Sequence, residues 1–206
     1  MPLHVDSSGD ARVDDQNGRM KIRALSTLVL LLAGCGSTVS SDADAKNAYL
    51  GLDPSIDKAI SLGFDGFNSA QSANIAPQTA NGTASGTLTV TGQVDQGTSV
   101  NKGMRLNEDL TNYSDDGKTT YVTNAAALPA LTMQLKNIPT GTVDGTLIGT
   151  VHMTGAEGGD LALNLTFSGT LQAGPGGVGV TRAPGTTHIT GTATSSAGTY
   201  NVDVTR

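Results

Sequence analysis

The sequence contains little cysteine and few aromatic residues. Among 206 residues there is one cysteine, no tryptophan, three phenylalanines and four tyrosines. A single cysteine excludes an intrachain disulfide, so the fold must be stable through packing alone. The scarcity of aromatic residues argues against a transmembrane β-barrel, whose strands carry aromatic girdles at both interfaces. With 27 glycines and many threonines, the composition favours strands joined by tight turns over a helical bundle.

Positive charge is also in short supply. The chain has 12 Lys and Arg against 18 Asp and Glu, and the net charge of −6 belongs to residues 35–206, because acids and bases balance before them. A mildly acidic surface without a basic cluster excludes nucleic acid as a partner and disfavours electrostatic docking on anionic lipid. The sequence contains neither a Gly-rich phosphate-binding loop nor a Gly-x-Ser-x-Gly nucleophile elbow. We therefore expect a protein that is not an enzyme and has no cofactor.

One short segment carries a clear targeting pattern. Lys21 and Arg23 precede an apolar run of roughly 11 residues, too short to span about 30 Å of hydrocarbon as a helix. The run ends in Leu32-Ala33-Gly34-Cys35, which resembles the lipobox of bacterial lipoproteins. The resemblance implies a signal peptide at 20–34, cleavage between Gly34 and Cys35, and diacylglycerol on the Cys35 sulfur. An ordinary cleaved signal and a buried apolar segment with a free thiol are the alternatives.

The segments on either side of this signal complete the domain prediction. Residues 1–19 hold four aspartates and no apolar block, so Met20 is the better start and 1–19 is an over-called or disordered extension. Residues 35–41 are small and polar, which predicts a tether. Gly36, rather than an aspartate, follows the cysteine, which resembles lipoproteins sent to the outer membrane of Gram-negative cells. The expected location is the cell envelope, reached through lipid on Cys35.

Residues 42–206 are expected to form a single β-rich domain with a helix at its start. Ser41 could cap a short first helix, and Asp53-Pro54 reads as an N-cap and first helical residue. From there apolar residues recur at three- and four-residue steps, which predicts an amphipathic helix at about 54–71. The apolar positions are Ile56, Ala59, Ile60, Phe64 and Phe67.

Beyond Pro77 the hydrophobic period changes to two, which is typical of half-buried strands. The clearest strand places Leu161, Leu163, Leu165 and Phe167 on one face. Turns are predicted at 115–118 and 157–160. The fold class is therefore mainly β (α+β), an antiparallel curled sheet or half-barrel of about 7–8 strands packed on one N-terminal helix. A sandwich or small barrel is the alternative.

Residues that could carry chemistry are few. His152 and His188 lie on predicted strands, both on the polar face, and no carboxylate or cysteine stands at a ligand spacing from them. The acidic groups at 115–117 and 157–160 do not match an EF-hand loop and are interpreted as turns. We therefore expect no catalytic residue and no metal site, and Cys35 remains the one modified position.

These observations favour a non-enzymatic envelope lipoprotein with a structural or binding role, its protein partner or lipid ligand unidentified. The alternative is a carrier, because a half-barrel closed by a helix is similar in outline to periplasmic lipoprotein-sorting and lipid-transfer proteins. An envelope hydrolase is a third hypothesis. A carrier requires an unfilled apolar cavity between helix and sheet, and an enzyme requires titratable groups that converge in a cleft.

Overall fold

Apart from one two-residue strand, the helices precede the strands along the chain. The computed structural model describes residues 36–177 and 179–206. Helix α1 comprises Asp42–Leu52 and α2 comprises Pro54–Ser69, and a 3₁₀ turn lies at Pro175–Gly177. The strands are β1 Ser37–Thr38, β2 Asn74–Asn81, β3 Ser85–Val94, β4 Lys102–Ser114, β5 Thr119–Thr123, β6 Ala130–Lys136, β7 Thr142–Gly155, β8 Glu157–Ala173, β9 Val180–Arg182, β10 His188–Ser195 and β11 Gly198–Thr205.

The two helices are nearly continuous. The Ser41 side chain accepts a hydrogen bond from the backbone N–H of Asp44 and so caps α1. Pro54 begins α2, as the sequence predicts, because a proline has no N–H to leave unpaired in the first turn. Asp53 occupies the N-cap position of α2, as predicted, but its side chain does not cap the helix. Asp53 itself has helical backbone angles and its side chain makes no capping hydrogen bond, which leaves its carboxylate free for another contact.

The strands form one large antiparallel sheet. Its main path runs β11-β10-β8-β7-β5-β4-β3-β2, and β9 adds to β8. Strands β5 and β6 both lie between β4 and β7, at different levels, because β4 and β7 are long enough to pair with each in turn. The prediction of a mainly β fold with an antiparallel sheet against an N-terminal helix is confirmed.

Alternation along the strands builds the core. On β8, Leu161, Leu163, Leu165 and Phe167 are buried while the residues between them are exposed. Side chains from both helices belong to the same hydrophobic cluster as the inward-facing strand residues. The apolar face of the sheet is therefore covered by α1 and α2, whose most buried large residues are Tyr49, Leu52, Ile56 and Ile60.

One of the two predicted turns is present and the other is misplaced. The turn at 115–118 is present, since β4 ends at Ser114 and β5 begins at Thr119. The turn predicted at 157–160 is wrong, because those residues belong to β8 and the chain reverses earlier, at Gly155 and Ala156. Gly155 has φ +120 and a Cβ there would lie 2.1 Å from the Lys118 carbonyl oxygen, so the reversal requires a glycine.

Truncating the helix face should destabilise the domain. Ile60 is fully buried in α2, so Ile60→Ala is expected to lower the free energy of unfolding by about 2–5 kcal/mol through lost burial and a cavity. Ser61→Ala, at the exposed neighbour, is the control and should change it by less than about 0.5 kcal/mol. Urea unfolding followed by circular dichroism measures both, and equal effects would contradict packing of α2 on the sheet.

Candidate anchor junction and buried charge cluster

The predicted lipidation site borders the described structure. Gly34, Cys35 and the whole Leu32-Ala33-Gly34-Cys35 motif lie outside the described residues, as do the predicted extension at 1–19 and signal peptide at 20–34. The first described residue, Gly36, follows Cys35 directly. The geometry from Gly36 onward therefore defines how the domain meets any group carried by that cysteine, and we call residues 36–39 the anchor junction.

The anchor junction is held in the fold. Ser37 and Thr38 form β1 and pair in parallel with Glu157 and Gly158 at the start of β8. Gly36 lies so close to the β7–β8 turn that a Cβ on it would be 2.3 Å from the Gly155 carbonyl oxygen. The polar tether expected at 35–41 is therefore wrong for its described residues: backbone pairing, which small side chains permit, converts the segment into part of the sheet.

Further hydrogen bonds secure the chain after this bridge. Val39 is fully buried, and its carbonyl oxygen accepts a 2.6 Å hydrogen bond from the Ser195 hydroxyl. The Ser40 backbone N–H and hydroxyl both donate to Asp44 at 3.1 Å. These hydrogen bonds lower the pKa of the Asp44 carboxyl. The anchor junction is thus fastened to β8 and β10, and the next residue, Ser40, bonds to α1.

A second unusual feature is a charge cluster buried beneath the joint between the helices. Arg182 on β9 has only 4% of its side chain exposed and donates to both Asp53 oxygens at 2.9 Å. Its Nε and Nη2 also donate to the Asp57 carboxylate, at 3.0 and 2.9 Å. One guanidinium therefore joins β9 to both Asp53, between the helices, and Asp57, in the first turn of α2.

Two neighbours complete the pairing of Asp53. The Tyr49 hydroxyl donates to Asp53 Oδ1 at 2.5 Å, and Arg206 Nε donates to Oδ2 at 3.2 Å. Burial alone would raise the pKa of Asp53, but the hydrogen bonds and charge of Arg182 outweigh it and hold the pKa below its usual range. Burial, followed by the adjacent Asp53 charge, raises the pKa of Tyr49. Asp53 is therefore ionised and Tyr49 neutral at ordinary pH.

Glu108 is a buried acid with poor pairing. It lies on β4 with none of its surface exposed, and its one side-chain hydrogen bond is a 3.5 Å contact from the Ser55 hydroxyl in α2. Its Oε1 has no hydrogen-bond partner. Burial raises the pKa of Glu108 to about 7, although Ser55 and Arg182 oppose the shift. Ionisation of Glu108 therefore works against the contact between α2 and the sheet.

The sequence analysis missed this cluster, although part of the signal was visible. Glu108 has the same strand parity as Met104, Leu106 and Leu110, so alternation alone places it inside. Arg182 gave no such signal, because β9 is only three residues long. Pairing Arg182 with Asp53 requires knowledge of how residues 129 positions apart meet in the fold.

The histidines lie where the sequence predicted, on the outer face. His152 and His188 are about half exposed, and each has an aspartate from the adjacent strand beside it, Asp160 at 2.7 Å and Asp203 at 2.8 Å. The sequence spacing did not reveal these partners, because cross-strand register brings them together. Within residues 36–177 and 179–206, no group of three or more His, Cys, Asp or Glu is arranged to hold a metal ion.

The predicted turn acids, Asp115 and Asp116, both accept structural hydrogen bonds. Asp115 accepts hydrogen bonds from Lys58 at 2.5 Å and from the Thr83 backbone N–H at 2.6 Å. Asp116 Oδ1 accepts from the backbone N–H groups of Lys118 and Thr119. Burial alone would raise the pKa of Asp115, but Lys58, Tyr113 and Thr83 hold it below its usual range. Asp116 therefore stabilises the β4–β5 hairpin, whereas Asp115 joins the hairpin to α2 and to the segment between β2 and β3.

Comparison with known proteins assigns no relative. No family model, curated protein or solved structure matches this chain. Neither α1 nor α2, the helices of the described part, is long and apolar enough to cross a membrane. Function is therefore inferred from the motif at Cys35 and from the geometry around it.

The buried pairing can be tested against a surface pair. Arg182→Met leaves the Asp53 carboxylate buried with only Tyr49 and Arg206 as partners, so we expect a loss of about 3–5 kcal/mol in the free energy of unfolding. Arg105→Met breaks an exposed pair with Asp95 and should cost less than about 1 kcal/mol. Chemical denaturation measures the loss in each variant. Similar losses would contradict a larger contribution from the buried pair than from the exposed one.

Glu108 should make stability depend on pH. Its folded-state pKa of about 7 lies above the ordinary 4.5, so the folded state binds the proton more tightly. Stability is then full below about pH 4.5, falls as the pH rises through about 7, and levels off above it, with a loss on the order of 3 kcal/mol. Glu108→Gln should remove this fall, whereas the exposed Asp144→Asn should keep it. Thermal unfolding measured from below pH 4.5 to above pH 7 tests this prediction. The same fall in stability in Glu108→Gln would contradict the assignment to Glu108.

Proposed function

We propose that this protein is a lipid-anchored bacterial envelope protein whose domain has a non-enzymatic structural or binding role. Acyl chains on Cys35 would reach the membrane, in keeping with the lipobox pattern Leu32-Ala33-Gly34-Cys35. Two or more acyl chains hold a protein stably at a bilayer, whereas a single chain gives only reversible binding. In a Gram-negative cell, Gly36 after the cysteine favours the outer membrane.

The observation that carries this proposal is the anchor junction. The domain is built into its sheet from the second residue after Cys35, through β1 and its pairing with β8. Removal of a signal peptide up to Gly34 would therefore leave the described fold whole, with Cys35 one residue outside it. A cleavage site within the fold would instead have argued against the lipobox interpretation.

The arrangement of titratable groups supports a role without catalysis. In the described part of the chain, the buried charges of Asp53 and Arg182 pair with each other, and the partly exposed Asp57 pairs with the same guanidinium. His152 and His188 stand on the exposed face of the sheet, each beside an aspartate. Neither set places a nucleophile, a base and oxyanion donors around one reacting atom, which is what a hydrolase needs.

The packing of the helices disfavours the carrier alternative. Tyr49, Leu52, Ile56 and Ile60 are each at most 1% exposed and belong to one cluster with the inward-facing strand residues. Side chains thus occupy the concave face on which a carrier would hold acyl chains. A structural or partner-binding role needs no cavity and fits this packing better.

The anchor is tested by removing the thiol. Cys35→Ser is expected to move the protein from the membrane fraction to the soluble fraction and to abolish labelling by radioactive palmitate. Ser37→Ala, two residues further on, is the control and should leave both unchanged. An unaltered membrane fraction in Cys35→Ser, or no palmitate on the parent protein, would contradict the proposal.

A further inference from the structure

A depression of about 360 Å³ opens directly beside the anchor junction. Its walls come from α1, from the β4–β5 hairpin and from the start of β8. Glu157, which lines it, pairs with Ser37 of the anchor junction. The depression is therefore fixed next to the point where the chain continues to Cys35.

Glu157 is a buried acid with one unpaired carboxylate oxygen. The residue is only 8% exposed, and its Oε2 is buried with no hydrogen bond. Burial, with a smaller contribution from Asp44, raises the pKa of its carboxyl. A buried carboxylate oxygen without a donor costs free energy. The residue that carries this oxygen lines the depression, so a ligand there that donates hydrogen bonds to the Glu157 carboxylate would offset the cost.

The remaining lining includes polar side chains and carries both signs of charge. Asp116 adds a second carboxylate and Asn47 an amide, whereas Lys118 supplies a cation at the rim. Leu50, half-buried in α1, provides an apolar contact. Opposite charges on one small site match a ligand that is itself zwitterionic, with an ammonium group toward the acids and a phosphate toward the lysine.

The position relative to the membrane follows from chain geometry. Consecutive Cα atoms are about 3.8 Å apart, so Cys35 begins within one peptide unit of Gly36. Gly36 is packed against Gly155 and Gly158, which leaves no flexible linker on the domain side. If Cys35 carries acyl chains, the depression lies at the level of the lipid headgroups.

We propose that this depression binds the headgroup of a zwitterionic phospholipid that carries a primary ammonium, with Glu157 and Asp116 accepting from the ammonium and Lys118 contacting the phosphate. The inference deepens the proposed function and depends on the anchor at Cys35 for its membrane setting. The bound headgroup fixes the orientation of the domain on the bilayer. A primary ammonium has three N–H donors for these acceptors, whereas a trimethylated ammonium has none.

The experiment is an NMR titration of the mature ¹⁵N-labelled lipoprotein in non-ionic detergent micelles. The probes are sn-glycero-3-phosphoethanolamine, sn-glycero-3-phosphocholine and calcium chloride. The phosphoethanolamine probe should shift the backbone amide signals of Gly51, Lys118, Thr119 and Ala156, which surround the depression. The phosphocholine probe should bind at least tenfold more weakly, because its trimethylated ammonium has no N–H to donate to Glu157.

Variants locate the effect. Glu157→Gln should weaken phosphoethanolamine binding at least tenfold, whereas Asp160→Asn, on the exposed face of the same strand, should leave the affinity unchanged. Lys118→Ala, at an exposed position, is a second route should Glu157→Gln fail to fold, and should weaken binding severalfold. The inference is overturned if both headgroup probes bind equally, or if calcium chloride alone shifts the same amide signals. It is also overturned if a folded Glu157→Gln or Lys118→Ala protein keeps the parent affinity.

The two proposals can fail separately. If Cys35→Ser is released from the membrane but the headgroup probes shift no amide signals, the headgroup site is overturned and the anchor stands. Retention of Cys35→Ser in the membrane fraction overturns the anchor, while the titration still reports on the site because its probes are soluble.

Discussion

Coverage of one apolar sheet face is the constraint on which the structure depends. The long strands place Leu, Val and Met on one side and Thr, Asn and Asp on the other, so one face can meet water and the other cannot. Each buried Leu or Ile side chain contributes about 1.5–3 kcal/mol. Helices α1 and α2 add to this burial, because their side chains belong to the same buried cluster as the inward-facing strand residues. With a single cysteine and few aromatic residues, the domain has no other large source of stability.

Hydrophobic burial alone does not fix where the helices sit, because apolar contact is not directional. The guanidinium of Arg182 adds direction, since it bonds Asp53 between the helices and Asp57 in the first turn of α2 at once. Tyr49 and Arg206 approach the same Asp53 carboxylate from α1 and from the chain beyond β11. A shift of either helix along the sheet would separate these groups. The cluster therefore explains why a proline joint at Pro54 leads to one defined arrangement.

The sequence predicted those features that depend on local periodicity. The alternation of apolar and polar residues predicted β8 and its inward face, and the Asp53-Pro54 pair predicted the start of α2 correctly. Features that depend on which distant segments meet were not predictable. The contact between Arg182 and Asp53 depends on the pairing of β9 with β8. The contact between His152 and Asp160 depends on the register between β7 and β8. The turn at Gly155 was misplaced because two glycines and two acids at 157–160 carry a stronger local turn signal than Gly155 and Ala156 do.

The error at residues 35–41 has the largest consequence for function. Small polar residues resemble a linker in composition, yet the same residues can add to a sheet, since Gly36 and Gly158 let two backbones approach closely. Because β1 is short, its pairing is stabilised by its neighbours, Val39 in the core and Ser195 bonded to the Val39 carbonyl oxygen. A tether would let a domain tumble above its anchor. If Cys35 carries lipid as proposed, the pairing of β1 with β8 fixes where the chain leaves the fold, so the same surface, including Glu157, would face the bilayer in every copy.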